Sequence, residues 1–426
     1  MQTSFTAEQL ENPRISEANT ILRKCVHCGF CTATCPTYVL LGDELDSPRG
    51  RIYLIKNMLE SGEPATQETV KHLDRCLSCL SCMTTCPSGV NYMHLIDEAR
   101  AHVEETYKRP LFERMLRNVL AYVMPRPWFF RLSLIGAKLA SPLAPVARAM
   151  GATRIGALLS LVPSPMPTPE PFGQPGSYPP ENTRKGRVAL LMGCVQSVLD
   201  PGINAATIRL LTRLGFEVVV SGEEACCGSL THHMGKEEDA LARARRSIDQ
   251  WTRADVDAVI ITASGCGTTI KDYGHMLRLD PAYAEKAKAI SAKAKDVTEF
   301  LLAQNLPEAQ GGLKLAYHSA CSMQHGQKLK TEPQKLLRRA GFTVMDVPEG
   351  HLCCGSAGTY NILQPEIATK LRDRKVANIE SLAPQAISTG NIGCITQIGS
   401  GTGIPILHTI ELLDWAYGGP KPAKLG

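Results

Sequence analysis

The sequence predicts a multidomain α+β protein, in which a helical N-terminal module precedes two α/β repeats. All 16 cysteines fall into two sets of eight, and each set consists of one spacing pattern that occurs twice. Between the sets, residues 163–180 hold eight prolines, a composition typical of a stiff linker. We therefore expect a helical module at 1–108, a helical connector with a proline-rich linker at 109–183, and cysteine-rich repeats at 184–306 and 307–426.

The composition excludes several classes of protein. Of the 426 residues, 44% are hydrophobic and 20% are charged, which argues against global disorder. The formal net charge of +5, with both signs interspersed, does not favour nucleic acid as a partner. Residues 1–19 hold no apolar stretch, so we expect no signal peptide. No later run is long and apolar enough to cross a membrane, so we expect no transmembrane helix. Cysteines in such a chain favour metal or redox chemistry over disulfides.

The first cysteine set has the spacing of bacterial ferredoxins, CxxCxxCxxxCP, and the second run follows the first at an offset of 51 residues. Three closely spaced cysteines can surround one 4Fe–4S cluster, whereas the fourth cysteine of each run ligates the other cluster. Structural zinc sites use paired CxxC units instead. The sequence predicts one cluster on Cys25, Cys28, Cys31 and Cys86, and a second on Cys35, Cys76, Cys79 and Cys82.

The segment between the two runs predicts a helix. Ser47 is suited to the N-cap and Pro48 to the first helical position, and Gly62 lies near the expected end. This predicts a helical ferredoxin, in which helices make the connection that short strands make in a small one. Arg49 and Arg51 lie in the first turn, and we interpret them as surface charges or charges near a cluster.

Residues 128–150 are apolar, but charged residues and prolines interrupt them. We interpret this segment as a helix that packs on its own chain or on a partner subunit. Contact with a membrane interface is the alternative.

The C-terminal half has the alternation of strands and helices that predicts parallel sheets. Strands are predicted at 187–192, 217–220 and 258–262 in the first repeat, and at 313–317, 342–347 and 386–389 in the second. Helices are predicted at 203–214, 236–252, 328–340 and 366–381. The uncharged run 381–407 is predicted to form strand and loop.

The second cysteine set follows these strands. Cysteines just past the carboxyl ends of parallel strands converge at one sheet edge, so we expect four thiols to meet in each repeat. An iron–sulfur cluster, redox-active or unligated thiols, and zinc or a disulfide remain open for these groups. The candidates are Cys194, Cys226, Cys227 and Cys266 in the first repeat, and Cys321, Cys353, Cys354 and Cys394 in the second.

Two ferredoxin-type runs followed by two Cys…Cys-Cys-Gly…Cys repeats resemble the iron–sulfur subunits of bacterial glycolate oxidase (glycolate dehydrogenase). The stretch from Ser47 to Arg51 favours this member over related families. The resemblance implies partner subunits that bind FAD and oxidise glycolate to glyoxylate, and possible action on D-lactate. Electrons would then pass through this chain to a respiratory acceptor such as quinone. It also implies peripheral association with the cytoplasmic side of the bacterial inner membrane.

The absence of nucleotide-binding motifs agrees with a subunit that does not oxidise a substrate by itself. The sequence has no dinucleotide-binding GxGxxG motif and no Walker A loop, so the FAD is expected on another chain, and no catalytic residue is assigned. Two alternatives stay open: the iron–sulfur subunit of anaerobic glycerol-3-phosphate dehydrogenase, and a catalytic subunit of the heterodisulfide reductase type that acts through its CCG cysteines. The repeats of that reductase end in CxxC, whereas Thr269 and Gln397 stand at the last position here.

Overall fold

The computed structural model describes residues 1–149, 153–160, 162–163, 166–168, 170–223 and 225–426. Met150 of the apolar segment, and Ser164, Pro165 and Pro169 of the linker, lie outside the described residues. Residues 1–149 form helices and loops without a strand. The N-terminal helices are α1 (Ala7–Glu11), α2 (Pro13–Arg23), α3 (Pro36–Leu41), α4 (Pro48–Ser61), α5 (Gln67–Asp74), α6 (Ser81–Thr85) and α7 (Tyr92–Thr106), with a 3₁₀ turn at Glu44–Asp46.

Helix α4 has the boundaries that its sequence predicts. The hydroxyl oxygen of Ser47 accepts a hydrogen bond from the backbone N–H of Gly50 at 3.0 Å, and Pro48 occupies the first turn. Gly62 ends the helix with a φ of 67°, which a residue without a side chain adopts at little cost. The buried apolar face, which holds α4 in the N-terminal core, includes Ile52, Ile55 and Leu59.

The connector is a helical arm that touches both repeats. Helix α8 packs through Leu116 and Leu120 against Ile362 of the second repeat, and α9 packs through Phe130 against Val198 of the first. The arm consists of α8 (Leu111–Val123), α9 (Pro127–Ala140), a 3₁₀ turn (Ser141–Leu143), α10 (Ala144–Ala149) and α11 (Thr153–Ser160).

The first repeat is a five-stranded sheet with the order β1-β3-β2-β4-β5, in which β1 is antiparallel to β3 and the other pairs are parallel. Its strands are β1 (Gly176–Tyr178), β2 (Gly186–Leu190), β3 (Phe216–Val220), β4 (Ala258–Ile261) and β5 (Ala294–Asp296). Its helices are α12 (Gln196–Leu199), α13 (Gly202–Arg213), α14 (Ser229–His233), α15 (Glu237–Ala254), α16 (Ser264–Lys271), α17 (Tyr273–Met276), α18 (Ala284–Lys293) and α19 (Val297–Leu302).

The second repeat has the same parallel order, β7-β6-β8-β9, without the extra edge strand. Its strands are β6 (Lys314–Tyr317), β7 (Thr343–Asp346), β8 (Ala386–Thr389) and β9 (Ile406–His408). Its helices are α20 (Glu332–Arg339), α21 (Tyr360–Leu363), α22 (Pro365–Glu380), α23 (Ile392–Gly399) and α24 (Thr409–Ala416), with a π-helical turn at Ser322–Gly326 and a 3₁₀ turn at Ala423–Leu425.

The structure contains helices and strands that the sequence-based expectations do not include, such as α16, α18 and β5, and three further local features differ. Helix α20 begins four residues later than predicted, because Lys328 has a left-handed φ of 61° and the ring of Pro333 prevents extension of the helix toward the N-terminus. The predicted linker ends in β1, which adds to the first sheet. The run 381–407, predicted as strand and loop, contains the additional helix α23.

The two repeats share one hydrophobic core, which runs from β2 to α24. Buried polar contacts add to it. The Nε2 atom of His408, in the second repeat, lies 2.7 Å from the carbonyl oxygen of Thr262 in the first, and its Nδ1 accepts a hydrogen bond from the backbone N–H of Ile410. The buried carboxylate of Asp414 pairs with Arg209 at 2.6 Å and also with Arg213.

The His408 contact predicts a stability that depends on pH. Burial lowers the pKa of His408 to about 4 from an ordinary value of 6.5. Because the folded state keeps this ring neutral, its contribution is complete above pH 6.5 and is lost as the pH falls toward 4, at a cost of about 3 kcal/mol. Urea unfolding of the wild type and of His408→Asn, which can still cap α24, measures this. The stability advantage of the wild type is expected to shrink between pH 7.5 and 5, and a constant difference would contradict the assignment.

Candidate iron–sulfur and cysteine sites

The four cysteines of the first predicted cluster line one cavity. It lies between the first cysteine run, the start of α4 and the segment after α6. Cys82 of the other predicted set also lines it, so the two sites adjoin. We refer to this group as site 1, and it contains Cys25, Cys28, Cys31 and Cys86.

Both cysteine runs have the same unusual backbone. The residue before the second cysteine is left-handed in each run, at His27 (φ 54°) and Ser78 (φ 50°). The residue after that cysteine is left-handed too, at Gly29 (φ 86°) and Leu80 (φ 62°). Three of these four residues have side chains that disfavour this conformation, so the turns have an energetic cost. Their recurrence 51 residues apart fits loops that turn several donors toward one metal cluster.

The second predicted group, which we call site 2, contains Cys35, Cys76, Cys79 and Cys82. Burial raises the pKa of Cys82 well above its ordinary value, and nearby Cys79, Cys76 and Cys35 raise it further. A thiol in this position stays protonated unless a metal takes the place of the proton. The donor set therefore fits a thiolate-bound iron–sulfur cluster, as site 1 does.

A buried cation lies beside site 2. Arg51 is 1% exposed, and its guanidinium lies 3.8 Å from the sulfur of Cys35 and 3.2 Å from the carboxylate of Asp46. Although burial opposes the charge, the nearby Cys76, Tyr92 and Cys35 keep the pKa of Arg51 above its ordinary value. The hydroxyl of Tyr92 also donates a hydrogen bond to the sulfur of Cys76 at 3.7 Å. Arg51 thus lies beside the cysteines of the second predicted cluster, whereas Arg49 forms a partly exposed pair with Glu44.

The sequence predicts that four cysteines of the second set meet in each repeat, but in the structure all eight lie around one cavity. The cysteine loops of both repeats line a single cavity of about 200 Å³, which we call the cysteine cavity. Cys79 of site 2 lines the same cavity, together with Leu77 and Ser78. All eight cysteines of the set line it: Cys194, Cys226, Cys227, Cys266, Cys321, Cys353, Cys354 and Cys394.

Contacts between the N-terminal module and the second repeat hold site 2 against this cavity. Leu77 packs in an apolar cluster with Cys321 and Cys353, and Cys79 contacts the same cluster. The hydroxyl of Thr84 lies 2.7 Å from Nδ1 of His325. Tyr360 donates a hydrogen bond to the carbonyl of Arg75 at 3.0 Å, which adds a second polar contact between the N-terminal module and the second repeat. These contacts depend on residues far apart in sequence, and no local pattern marks them.

Helix α7 joins the N-terminal module to the first repeat. His232 lies 3.2 Å from Asp97, and although burial opposes the effect, this carboxylate raises the pKa of His232 above its ordinary value. His94 lies 3.0 Å from Asp272 and stacks on His275 with ring centroids 3.4 Å apart. These histidines therefore have a structural role, because they form contacts between the N-terminal module and the first repeat.

Comparison with known proteins identifies the domain families of the segments that hold these cysteines. The 4Fe-4S dicluster domain family matches residues 24–90, and the cysteine-rich CCG domain family matches residues 188–271 and 315–399. The glycolate oxidase iron-sulfur subunit of Escherichia coli (strain K12) is 48% identical, over 98% of this chain and 99% of that protein. The chain belongs to the glycolate oxidase iron–sulfur subunit family. Its N-terminal module is therefore a helical domain for two 4Fe–4S clusters, as the cysteine spacing predicts.

Other relatives match all or part of the chain at lower identity. The probable glycolate oxidase iron-sulfur subunit of Bacillus subtilis (strain 168) is 32% identical, over 94% of both chains. Lactate utilization protein A of the same strain is 29% identical over 54% of this chain and 99% of its own length. Among solved structures, a hypothetical protein from Helicobacter pylori aligns with a TM-score of 0.52 at 12% identity, covering 97% of this chain and 74% of that chain, and this shows the fold alone.

Among the described residues, no helix combines the length and apolar character that a membrane crossing requires.

Proposed function

We propose that this chain is the electron-transfer subunit of a glycolate dehydrogenase complex. Partner subunits that bind FAD would oxidise glycolate to glyoxylate, releasing two electrons and two protons per turnover. The 4Fe–4S clusters, when bound, supply one-electron carriers between that flavin and a quinone. The quinone would take up two electrons and two protons to form the quinol. The observation that carries the proposal is the order of the sites, with site 1 at the surface, site 2 behind it and the cysteine cavity last.

Site 1, at the exposed end of this series of sites, is suited to contact with a partner that delivers electrons. Cys28 is exposed in the loop that forms site 1. On either side of it, Val26 is 66% and Phe30 is 62% exposed, which gives this loop an apolar rim. Apolar side chains exposed beside a redox centre favour contact with another protein surface. We infer that the flavin-binding partner docks on this loop.

The cysteine cavity, at the inner end of this series of sites, is suited to a quinone. The cysteine cavity has apolar wall residues besides its thiols, including Leu77, Leu230 and Ile392, and Cys79 of site 2 lines it directly. Ligand sites of this kind are concave and mostly apolar. Met124, at the end of α8, also lines the cavity and thereby connects it to the helical arm. An acceptor in this cavity would contact the surroundings of site 2 without an intervening carrier.

This relay is tested in the complex with its partner subunits. Glycolate oxidation is measured with a dye that takes electrons from the flavin and, separately, with quinone. For Cys35→Ala, which removes a ligand of site 2, we expect dye reduction to persist and quinone reduction to be lost. Survival of quinone reduction would contradict the relay.

A second candidate function uses the cysteines of the cavity as catalysts, because all eight thiols line one space. Cys226→Ser separates the two functions. The relay predicts that this variant still reduces quinone, because site 2 is intact. A catalytic role for the thiols predicts that quinone reduction stops while dye reduction continues.

We further propose that the helical arm binds an anionic lipid surface, which brings the cavity close to the quinone. Residues 111–160 hold seven arginine or lysine residues against one glutamate. Of the 19 large hydrophobic side chains that are exposed among the described residues, 13 lie between Leu111 and Ile155. An apolar face combined with basic residues is typical of helices that lie in a membrane interface. Exposed members include Trp128 (70%), Leu132 (52%) and Leu139 (82%).

Vesicle binding tests the arm. The complex is expected to sediment with vesicles that contain phosphatidylglycerol, less well at high salt, and poorly with neutral phosphatidylcholine vesicles. The variant Trp128→Glu/Leu132→Glu/Leu139→Glu should lose binding, because charged side chains would enter the apolar layer. Leu279→Glu, at an exposed leucine of the first repeat, is the control. If the triple variant binds vesicles normally but fails to assemble with the partner subunits, the arm is a protein interface instead.

A further inference from the structure

A buried histidine in the second repeat faces two thiols. His318 follows β6 and is fully buried, and among the described residues neither of its ring nitrogens has a hydrogen-bond partner. A ligand nitrogen of His318 and the sulfur atoms of Cys354 and Cys394 all lie within 4.8 Å of one another. A buried imidazole without a partner is costly, so this arrangement calls for an occupant that accepts both nitrogen and sulfur donors.

The first repeat lacks this histidine at the equivalent place. The backbone N–H of His318 donates to the carbonyl of Ser388 at 2.8 Å, and the N–H of Leu191 donates to Ile260 at 3.0 Å in the same way. Leu191 thus occupies the matching position in the first repeat, where it packs in an apolar cluster with Cys227. The fold itself does not require a histidine there.

A second buried residue also differs between the two repeats. Gly228 and Gly355 approach Ala240 and Ala368 in the same way, which aligns α15 with α22 and places Lys375 where the first repeat has Ser247. Lys375 is 2% exposed, and its ammonium donates to the carbonyl of Glu349 at 2.8 Å. It lies close enough to Cys321, Cys353 and Cys354 to interact with them electrostatically. The second repeat therefore has a nitrogen ligand and a buried cation that the first repeat lacks.

We propose that the second repeat binds one zinc-class divalent ion through His318, Cys354, Cys394 and a third thiolate, Cys353. Zinc prefers four ligands of this kind in tetrahedral geometry, and Zn–S bonds of about 2.3 Å place two thiolates about 3.8 Å apart. The close spacing of the three donor groups fits one ion better than a cubane, whose cysteines bind separate corners of a larger cluster. Three thiolates and one divalent ion carry a net charge of −1, which Lys375 balances.

Cys353 is suited to complete the set. Its thiol interacts with those of Cys321 and Cys354 and accepts a hydrogen bond from the backbone N–H of Gly355 at 3.4 Å. It lies outside the group of three donors that are within 4.8 Å of one another, so its sulfur would move toward them when the ion binds. An amide donor to a thiolate is typical of metal-bound cysteine. Because zinc keeps one oxidation state, the centre would fix the cavity wall beside site 2 without carrying electrons.

Metal analysis of the full chain, purified anaerobically, tests this site. We expect about one zinc per chain in addition to about eight irons. X-ray absorption at the zinc edge should give one nitrogen ligand at about 2.0 Å and three sulfur ligands at about 2.3 Å. A zinc shell of sulfur alone, the absence of zinc, or about twelve irons with matching sulfide would overturn the proposal.

The variant His318→Leu copies the first repeat and should therefore fold. It is expected to lose most of its zinc to a chelator that leaves the wild type loaded, while its iron content stays unchanged. His351→Leu, which changes a histidine close to Cys353 in sequence that is not one of the four proposed ligands, is the control and should keep its zinc. Equal zinc retention in His318→Leu and the wild type would overturn the role of His318.

Discussion

Replacing Cys86 with alanine is expected to remove the cluster at site 1 and to leave the cluster at site 2 intact. Cys86 lies 55 residues or more from the other ligands of site 1 in sequence, yet it lines the same cavity as Cys25, Cys28 and Cys31. Iron should fall from about eight toward about four per chain, because three thiolates leave one iron of the cubane without its protein ligand. Iron and sulfide analysis measures the loss, and low-temperature EPR of the reduced protein identifies the cluster that remains.

Reference variants decide which cluster is lost. Replacing three cysteines of the first run, Cys25, Cys28 and Cys31, removes site 1 without ambiguity. The EPR spectrum of Cys86→Ala should match that of this triple variant, and Cys35→Ala should instead match the variant that lacks Cys76, Cys79 and Cys82. The opposite matches would mean that each run binds its own cluster, and our ligand assignment would then be wrong.

Features that depend on local chemistry could be predicted from the sequence. Cluster ligands must be cysteines at fixed intervals, so the offset of 51 residues is visible without a structure. The start of α4 was equally accessible, because Ser47 and Pro48 act on the first turn of their own helix. Parallel strands were predictable from short apolar runs between helices, and their order in both sheets then places the cysteine loops at one edge.

Features that depend on contacts between distant segments could not be predicted in this way. Helix α23 cannot be predicted locally because its two glycines and its β-branched residues have low helix propensity, which packing in the second repeat overrides. The single cavity shared by both repeats depends on their common core, and no repeat encodes it alone. Nothing in the sequence distinguishes His318 from the other histidines near cysteines, since only the fold reveals that, among the described residues, its ring nitrogens have no hydrogen-bond partner.

Replacing Arg51 with leucine is expected to lower the free energy of unfolding by about 2–3 kcal/mol. The buried carboxylate of Asp46 loses its buried cationic partner and keeps only Arg75, at 2.7 Å, and His72, at 2.9 Å. The side chain also donates hydrogen bonds to Thr37 at 3.0 Å and to the carbonyl of His72 at 2.7 Å, and both would be lost. Urea unfolding under anaerobic conditions measures the change.

The same variant is expected to shift the reduction potential of the site 2 cluster to more negative values. A fixed positive charge 3.8 Å from the sulfur of Cys35 favours the reduced form of the cluster, which carries one more negative charge. Arg51→Lys should recover part of the shift, since it keeps the charge and loses the planar hydrogen-bonding group. Arg49→Leu is the matched control, because its pair with Glu44 is partly exposed to solvent. If both leucine variants change stability and potential equally, the buried position of Arg51 is not what matters.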